Sequence, residues 1–252
     1  EVRPDVRVLV GGPHPTICPE ELESLSAIDC IVKGEGEIVL PRLLADLEAG
    51  RELPRIVVGE RVEDLDAVPW ADRGLFGIRE SPFVDFLPAP FITLIAARGC
   101  RYNCRYCQPA ERLLFGPHVR RRSAGNVLAE MKRLRDETAF QSYMVHDDCL
   151  TESPDWVMAF CRGLREEGFQ QPFVIQSRAD IICRHPEMIE VLRDAGLRLE
   201  VVGFESGSDR VLRFLRKGCT RTQNLEAAAI CQRLGVKVWA NYMLGLPTET
   251  RE

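Results

Sequence analysis

The first 49 residues alternate between short apolar runs and apolar positions at helical spacing. Residues 7–10 and 29–32 form two apolar runs, each followed by a glycine-containing loop, and they predict two strands. Residues 19–25 suit a short helix with proline in its first turn, and leucines recur at helical spacing across residues 40–47. Two consecutive βα units indicate a parallel sheet. Residues 1–49 are therefore predicted to be the C-terminal part of a doubly wound, Rossmann-like domain.

Proline interrupts this pattern between residues 50 and 90. Five prolines lie there and no long helical period survives, so the segment 50–90 is predicted to be an inter-domain linker. After it, apolar runs that predict strands begin near residues 91, 142, 173, 199 and 236, with helical periods between them. This alternation predicts an α/β domain over residues 91–252, with a parallel sheet that is open or curled into a partial (β/α) barrel. Both chain ends interrupt a predicted unit, so we expect a fragment whose barrel is truncated at its C-terminus.

Composition and charge narrow the classes of function. The 33 Lys and Arg against 38 Asp and Glu give a net charge of −5, which argues against a general nucleic-acid-binding surface. The longest apolar stretch, residues 91–97, is far shorter than the roughly 18 residues that predict a membrane span. Because no secretory leader is found, the ten cysteines predict a reducing, cytoplasmic location. The basic run at residues 120–122 predicts a solvated surface, or a contact with a cofactor phosphate or with the seam between the domains.

Three of the ten cysteines fall in one short loop directly after the strand that begins near residue 91. Cys100, Cys104 and Cys107 lie in Arg98-Gly-Cys-Arg-Tyr-Asn-Cys-Arg-Tyr-Cys-Gln108, at a strand end where barrel active sites form. Zinc usually takes four ligands in paired spacings, whereas a cubane iron–sulfur cluster on three cysteines would leave one iron open. The loop favours such a cluster, with zinc and incidental cysteines as the alternatives.

The order Cys100-x₃-Cys104-x-Tyr106-Cys107 resembles the signature of the radical SAM enzymes. The resemblance implies that a 4Fe-4S cluster on the three cysteines binds S-adenosylmethionine (SAM) at its open iron. Once reduced by an external electron donor such as flavodoxin or ferredoxin, the cluster would cleave SAM to a 5′-deoxyadenosyl radical. The resemblance also implies that Tyr106 lies near the adenine, although packing beside the cluster is an alternative.

Four later stretches, each at the end of a predicted strand, are similar to further motifs of this family. They are His146-Asp-Asp-Cys-Leu-Thr151, Gln176-Ser-Arg-Ala-Asp180, Gly203-Phe-Glu-Ser-Gly-Ser208 and Asn241-Tyr-Met-Leu-Gly-Leu-Pro-Thr-Glu-Thr250. The first resembles the Asp-Asp-x-Phe-Thr form of the cobalamin-linked branch, although Leu150 replaces the usual Phe. The SAM contacts that the resemblance implies on these stretches are Asp147, Asp148, Ser177, Arg178, Glu205, Ser206, Asn241 and Gly245.

Two of these assignments have structural alternatives. A carboxylate of the Asp147-Asp148 pair suits the methionine ammonium of SAM through a charge-assisted hydrogen bond, or it caps the helix that follows. Arg178 is expected to hold the SAM carboxylate or, for a structural purpose, to pair with Glu205.

The two front loops, Gly11-Gly-Pro-His-Pro-Thr16 and Gly34-Glu-Gly-Glu37, resemble the end of the cobalamin-binding domain that precedes many radical SAM barrels. The resemblance implies cobalamin contacts at Gly11, Gly12, His14 and Gly34, with His14 at the cofactor edge rather than on cobalt. The lower-ligand motif Asp-x-His-x-x-Gly does not occur in this sequence. We expect both loops to face the barrel mouth, where a corrinoid would meet SAM.

The leading hypothesis is a cobalamin-associated radical SAM enzyme that methylates or cyclises a small-molecule or natural-product substrate. One alternative is a radical SAM methylthiotransferase that acts on tRNA or protein. Another is a non-catalytic corrinoid carrier or sensor, against which the intact three-cysteine loop argues. The sequence assigns no catalytic residue and names no particular substrate.

Overall fold

Residues 6–75, 83–108 and 110–250 are described in the computed structural model of the chain. Residues 1–5, 76–82, 109 and 251–252, which fall within the predicted front domain, linker and barrel, lie outside the described residues. Among the described residues, no helix combines the length and the apolar character needed to cross a bilayer.

A three-stranded parallel sheet forms the front of the molecule. Its elements are β1 (Leu9–Val10), α1 (Pro13–Ile17), α2 (Glu20–Glu23), β2 (Cys30–Lys33), α3 (Val39–Glu48) and β3 (Ile56–Val58), and the strand order is β1-β2-β3. Helix α1 was not predicted from the sequence; it begins at Pro13, whose fixed φ and missing N–H suit a first helical position. Strand β3 lies inside the predicted linker and pairs with β2, so the sheet continues past residue 49. The division of the chain at residues 49 and 90 stays a prediction.

A five-stranded parallel sheet forms the second part of the molecule, in the order β10-β9-β8-β7-β4. Its strands are β4 (Phe91–Leu94), β7 (Ser142–Val145), β8 (Phe173–Ser177), β9 (Leu197–Glu205) and β10 (Lys237–Tyr242). Every strand begins within two residues of its predicted start, and the strands follow each other in chain order, as in a barrel. The α/β fold with parallel sheets is thereby confirmed. A short antiparallel pair, β5 (Ala97–Arg98) with β6 (Arg120–Arg121), was not predicted.

The helices of this part are α4 (Ala110–Phe115), α5 (Ala124–Thr138), α6 (Pro154–Glu166), α7 (Ala179–Arg184), α8 (Pro186–Asp194), α9 (Asp209–Phe214) and α10 (Arg221–Leu234). Residues of α5, α6, α7, α8 and α10 form the main core with the strands. The sequence did not predict α7. The Thr220 hydroxyl accepts from the N–H of Gln223 in a capping box, and Gly235 ends α10 in the left-handed region. Ser153 and Ser208 occupy the predicted N-cap positions, but their side chains accept no cap hydrogen bond.

The inner face of the sheet has its own small apolar cluster. Phe91, Met144, Val174 and Leu199 pack there with Leu87. The Phe83 ring stacks on Phe91, with 5.2 Å between the ring centroids. The end of the Pro-rich segment thus packs on this small cluster, which Val201 also contacts.

Buried ion pairs connect the front segment to the barrel. The Glu35 carboxylate accepts a hydrogen bond from Arg120 at 2.9 Å and lies 3.1 Å from a guanidinium nitrogen of Arg98. The backbone N–H of Val62 donates to the same carboxylate at 2.8 Å. Of the three predictions for the basic run at residues 120–122, the seam contact is therefore the one found for Arg120. We call Glu35, Arg98 and Arg120 the seam cluster.

The next two arginines of the run are also engaged in ion pairs. Arg121 pairs with Asp147 at 3.0 Å, and Arg122 pairs with Glu130 at 2.6 Å. All three arginine side chains are largely buried. A solvated face, the first prediction for this run, is wrong, because each guanidinium has a carboxylate partner on a neighbouring element.

Candidate functional site

A cavity of about 230 Å³ lies at the C-terminal ends of the barrel strands. Its lining comprises Cys100, Tyr102, Cys104, Tyr106, Cys107, Gln108, Glu111, Asp148, Gln176, Ser177, Arg178, Val201, Gly203, Glu205, Lys217 and Asn241. The lining thus contains the three cysteines together with polar residues at or just beyond the C-terminal ends of the four later strands. The sequence predicted one rim for Cys100, Asp148, Arg178, Glu205 and Asn241, because the C-terminal ends of parallel strands share an edge, and the structure brings these five together there.

The cysteine loop runs between β5 and α4 and is held by backbone contacts. Within the loop, the N–H groups of Cys107 and Gln108 donate to the Cys104 carbonyl at 3.1 and 2.9 Å. The Arg105 N–H donates to the Leu215 carbonyl at 2.9 Å, which attaches the loop to the end of α9. The shape of the loop therefore depends on the segment after β9 as well as on its own turn.

The donor set of this loop fits an iron–sulfur cluster. Within the described part of the chain, no three His, Cys, Asp or Glu side chains converge closely enough to hold one metal ion. In a cubane cluster each cysteine binds its own iron, so the three thiols need not converge on a point. Burial, followed by the charge of Cys104, raises the pKa of Cys107 to about 11. A free Cys107 thiol thus stays protonated, and iron binding would displace that proton.

Arg178 lies directly beside the cysteine loop. Its Nη1 donates to Cys104 Sγ at 3.7 Å, its Nε donates to Asp180 Oδ1 at 2.9 Å, and its Nη2 donates to the Lys217 carbonyl. The guanidinium carbon sits 3.6 Å from the centroid of the Tyr102 ring. The alternative that Arg178 pairs with Glu205 is wrong, because Asp180 is its carboxylate partner. A contact between Arg178 and the SAM carboxylate stays a prediction.

Lys217 is a cavity residue that the sequence analysis missed. Its Nζ donates to Glu205 Oε1 at 2.9 Å and to the Tyr106 hydroxyl oxygen at 2.9 Å, and the Tyr106 hydroxyl donates to the same Oε1 at 2.7 Å. Lys217 follows helix α9 rather than a strand, so no local pattern separates it from a solvated lysine. Only the packing of α9 against the cysteine loop could have revealed it.

This three-residue cluster shapes one wall of the cavity. Burial, followed by the hydrogen bond and the charge of Glu205, raises the pKa of Tyr106, so its hydroxyl stays protonated and donates. Glu205 has φ +60°, a left-handed conformation that is uncommon for a residue other than glycine. Gly203 makes room for the ion pair, since a Cβ there would lie 2.2 Å from Glu205 Oε1 and 2.7 Å from Lys217 Nζ.

Asp148 faces a second carboxyl group, that of Glu111 on α4. Burial, followed by the charge and the hydrogen bond of Asp148, raises the pKa of Glu111 to about 7. Glu111 was not predicted, because its helix position carries no strand-end signal. Asp148 also lines a second cavity of about 680 Å³, between residues 65–73 of the Pro-rich segment and the barrel. A single aspartate thus borders both cavities.

Three predicted SAM contacts do not line the cavity of the cysteines. The buried Asp147 carboxylate accepts from the N–H groups of Ala96 and Ala97 at 2.7 and 2.9 Å and from Arg121. Ser206 Oγ accepts from the Ser208 N–H at 3.1 Å, and the Gly245 N–H donates to Glu249 at 2.6 Å. These contacts give all three residues structural partners, and their contact with SAM stays a prediction.

The two front loops lie together and close to the cysteine side of the barrel. The Thr16 hydroxyl donates to the Gly12 carbonyl at 2.7 Å and accepts from the Gly34 N–H at 2.9 Å. Both glycines have positive φ, of 99° and 80°. Helix α1, which follows Gly12, lies against α4, and Glu35, which follows Gly34, pairs with Arg98. Gly11 and Gly12 are exposed, as is His14, whose Nε2 lies 3.2 Å from Glu21. Cobalamin contacts at Gly11, Gly12, His14 and Gly34 stay predictions.

Comparison with protein families gives two matches. Residues 94–252 match the model of the Radical SAM superfamily, and residues 1–44 match the model of the B12 binding domain. The first match covers more than half of the chain. These two matches agree with the family and the α/β fold predicted from the sequence. They also agree with the predicted cofactors, which are SAM, a 4Fe-4S cluster and cobalamin.

Two curated relatives match the chain over its whole length. It is 28% identical to an uncharacterized methyltransferase of Pyrococcus horikoshii, over 100% of this chain and 56% of that protein. It is 26% identical to the anaerobic magnesium-protoporphyrin IX monomethyl ester cyclase of Rubrivivax gelatinosus, over 100% of this chain and 48% of that protein. The chain therefore spans about half the length of these curated relatives.

One solved structure supports the fold. The cobalamin-dependent S-adenosylmethionine radical enzyme OxsB, with aqua-cobalamin and S-adenosylmethionine bound, superposes with a TM-score of 0.68. The match covers 94% of this chain and 36% of OxsB at 20% identity, so it establishes a shared fold. Together with the family match over residues 94–252, the three-cysteine cavity at the barrel rim leads to one conclusion: the chain belongs to the radical SAM superfamily.

Proposed function

We propose that this chain is part of a cobalamin-associated radical SAM enzyme that methylates or cyclises a small-molecule substrate. One observation carries the proposal. Cys100, Cys104 and Cys107 line one cavity together with side chains at or just beyond the C-terminal ends of four different barrel strands. A 4Fe-4S cluster on these cysteines would supply the electron that cleaves SAM and starts the radical chemistry.

The cavity residues have distinct tasks in this proposal. Asp148 is a carboxylate that suits the ammonium group of SAM, and the Lys217 ammonium has a third N–H for the SAM carboxylate. Tyr106, Ser177, Arg178, Glu205 and Asn241 line the remaining wall. These groups hold and orient SAM.

The front segment is proposed to hold a corrinoid across the barrel mouth, next to SAM. The match of residues 1–44 to the B12 binding domain supports this, as does the Thr16 bridge between the two glycine loops. Gly11, Gly12, His14 and Gly34 are the proposed contacts. Glycine at Gly12 and Gly34 permits the positive φ that brings backbone close to a ligand.

The remaining assignments of this proposal follow from charge and family. The electron is proposed to come from an external donor such as flavodoxin or ferredoxin, in the cytoplasm. A small molecule is the proposed substrate rather than nucleic acid, in keeping with the net charge of −5.

Anaerobic reconstitution with iron, sulfide and dithionite tests the cluster. The wild-type chain and a Cys183→Ala control should bind iron and form 5′-deoxyadenosine from SAM. Cys104→Ala should lose most of the bound iron and most of the SAM cleavage, because two thiolates cannot complete the site. Cys183 is a suitable control because its thiol contacts the Gln223 carbonyl, away from the loop. Full iron loading together with SAM cleavage in Cys104→Ala would contradict the proposal.

The corrinoid is tested on the full-length protein, since the chain spans about half of its relatives. Purification under anaerobic conditions with added cobalamin should give a corrinoid spectrum that co-elutes with the protein. If SAM cleavage persists without bound corrinoid, the protein is a radical SAM enzyme whose front domain lacks the cofactor.

A methylthiotransferase is the second candidate from the sequence, and the front segment does not favour it. That branch needs further cluster cysteines in its front domain, and the described front residues offer Cys18 and Cys30. Cys30 is fully buried in β2, within the core between the sheet and α3. Iron analysis of the full-length protein separates the two, because a methylthiotransferase would bind a second cluster.

A further inference from the structure

The guanidinium group of Arg178 is buried against one sulfur of the cysteine loop. Arg178 and Cys104 are each 5% exposed, and Arg178 Nη1 lies 3.7 Å from Cys104 Sγ. The other two nitrogens donate to Asp180 and to the Lys217 carbonyl, while the Tyr102 ring supports one face of the group. Because every nitrogen has a protein partner, the orientation of the N–H toward the sulfur is fixed.

A donor in this place acts on the electron affinity of a cluster. Hydrogen bonds to the ligand sulfurs, net charge and solvent exposure set the reduction potential of iron–sulfur clusters. Reduction adds one negative charge, which a nearby cation and an N–H donor stabilise. Burial strengthens the effect because little water screens the charge.

Asp180 limits this effect from the other side. Its Oδ1 lies 2.9 Å from Arg178 Nε, and its Oδ2 lies 3.1 Å from Arg184 Nη2. Asp180 therefore offsets part of the positive charge that Arg178 brings to Cys104. The balance of the two side chains would determine how easily the cluster accepts its electron.

We propose that Arg178 is a positioning residue that raises the reduction potential of the cluster through Cys104 Sγ, with Asp180 as the opposing charge. This rests on the proposed function, because it requires the cluster on the three cysteines. In the step concerned, the oxidised cluster takes one electron from dithionite or a low-potential protein donor. No bond or proton at Arg178 changes.

A redox titration of the reconstituted chain, followed by the paramagnetic resonance signal of the reduced cluster, tests the proposal. Arg178→Met should shift the one-electron equilibrium about tenfold toward the oxidised cluster, which is a potential about 59 mV lower. Arg178→Lys keeps the positive charge, so its reduction potential should lie between those of the wild type and Arg178→Met. Asp180→Asn should shift the equilibrium in the opposite direction, toward the reduced cluster.

Arg184→Met is the matched control. It removes the same charge and the other cationic partner of Asp180, but the Arg184 side chain is 59% exposed and its recorded partner is Asp180 rather than sulfur. Its equilibrium should stay within about twofold of the wild type, since exposed charges are screened.

The outcomes separate this inference from the proposed function. A wild-type potential in Arg178→Met, or a shift of Asp180→Asn toward the oxidised cluster, overturns the role of Arg178 while leaving the cluster in place. If Arg178→Met fails to fold or to load iron, the opposite shifts of Arg178→Lys and Asp180→Asn decide in its stead. Failure of the wild-type chain to assemble any cluster overturns the proposed function and this inference with it.

Discussion

Two buried carboxylates in this molecule have opposite surroundings. Glu35 lies at the seam between the front segment and the barrel, in contact with the guanidinium groups of Arg98 and Arg120. Glu200 lies on β9, fully buried, with Cys231 Sγ 3.6 Å from its Oε2; among the described residues, none provides a hydrogen bond to its Oε1. Both side chains are buried, Glu200 more completely than Glu35; Glu35 has cations beside it, whereas Glu200 has a thiol as its neighbour.

Burial and neighbouring cations together set the pKa values of these carboxyl groups. Burial raises the pKa of Glu35, but hydrogen bonds from Arg120 and Val62 and the charges of Arg98 and Arg120 outweigh it, so the net pKa lies below its ordinary value. Burial raises the pKa of Glu200 to about 7, and the hydrogen bond from Cys231 offsets little of that. The seam is thus built to hold a charge, whereas the position on β9 favours a neutral acid.

The largest effect is expected at the seam. Glu35→Ala should lower the free energy of unfolding by about 3–5 kcal/mol, because it leaves two arginine side chains in a buried place without their carboxylate. Urea unfolding at neutral pH measures this. Glu37→Ala, which removes a 31% exposed partner of Arg98, is the control and should cost less than about 1 kcal/mol. Equal losses in both variants would mean that the seam cluster adds nothing beyond surface pairing.

The second effect concerns pH and has the opposite sign for the two carboxyl groups. The folded-state pKa of Glu200, about 7, lies above its ordinary value of 4.5. Its contribution to stability is therefore complete below about pH 4.5 and is lost as the pH rises through 7, by about 3 kcal/mol in all. The pKa of Glu35 is lowered in the folded state. Its contribution to stability is therefore complete above the unfolded-state pKa and is lost as the pH falls through the folded-state pKa.

Glu200→Gln separates these contributions. The variant should be nearly as stable as the wild type at pH 5 and more stable at pH 8, because an amide has no proton to lose. Unfolding curves at the two pH values give the comparison directly. A wild-type pH profile in Glu200→Gln would show that Glu200 is not the group that titrates.

The smallest effect is expected at a third carboxylate, Glu205, which has its cation inside the cavity. Gly203→Ala would push its Cβ against the Glu205 and Lys217 head groups, and we expect a loss of about 1–2 kcal/mol, since both are ends of flexible side chains. Thermal or urea unfolding measures it. Gly207→Ala is the control, because nothing lies within 4 Å of a Cβ there. If Gly207→Ala lowers the free energy of unfolding as much as Gly203→Ala does, contact with the Glu205–Lys217 ion pair is not the cause of the loss.

The sequence predicted the five barrel strands and the rim of the cavity because both depend on local patterns. Apolar runs of four to nine residues form β4, β7, β8, β9 and β10, and the cysteines and later motifs follow strands directly. Topology then brings strand ends together, so the shared cavity required no knowledge of side-chain packing.

The features that were missed depend on contacts between distant parts of the chain. Strand β3 has three residues in a Pro-rich segment and exists through its pairing with β2. Lys217 and Glu111 follow or lie on helices, and their place in the cavity depends on how α9 and α4 pack. The ion pair between Arg178 and Asp180 was also missed. Sequence spacing alone does not tell whether the side chains of two residues in one stretch point to the same side.

The long-range contacts of the cysteine loop have a consequence for synthesis of the protein. Cys104 meets Arg178 across 74 residues of sequence, and Tyr106 meets Glu205 and Lys217 across 99 and 111 residues. A ribosome therefore releases the three thiols well before it has made the cavity wall beside them, and contacts of such separation form late. Iron and sulfide delivered to the nascent chain meet an open loop, while the same loop is open to oxidants. Anaerobic growth and prompt metal delivery should then matter most during translation, before residue 217 has emerged.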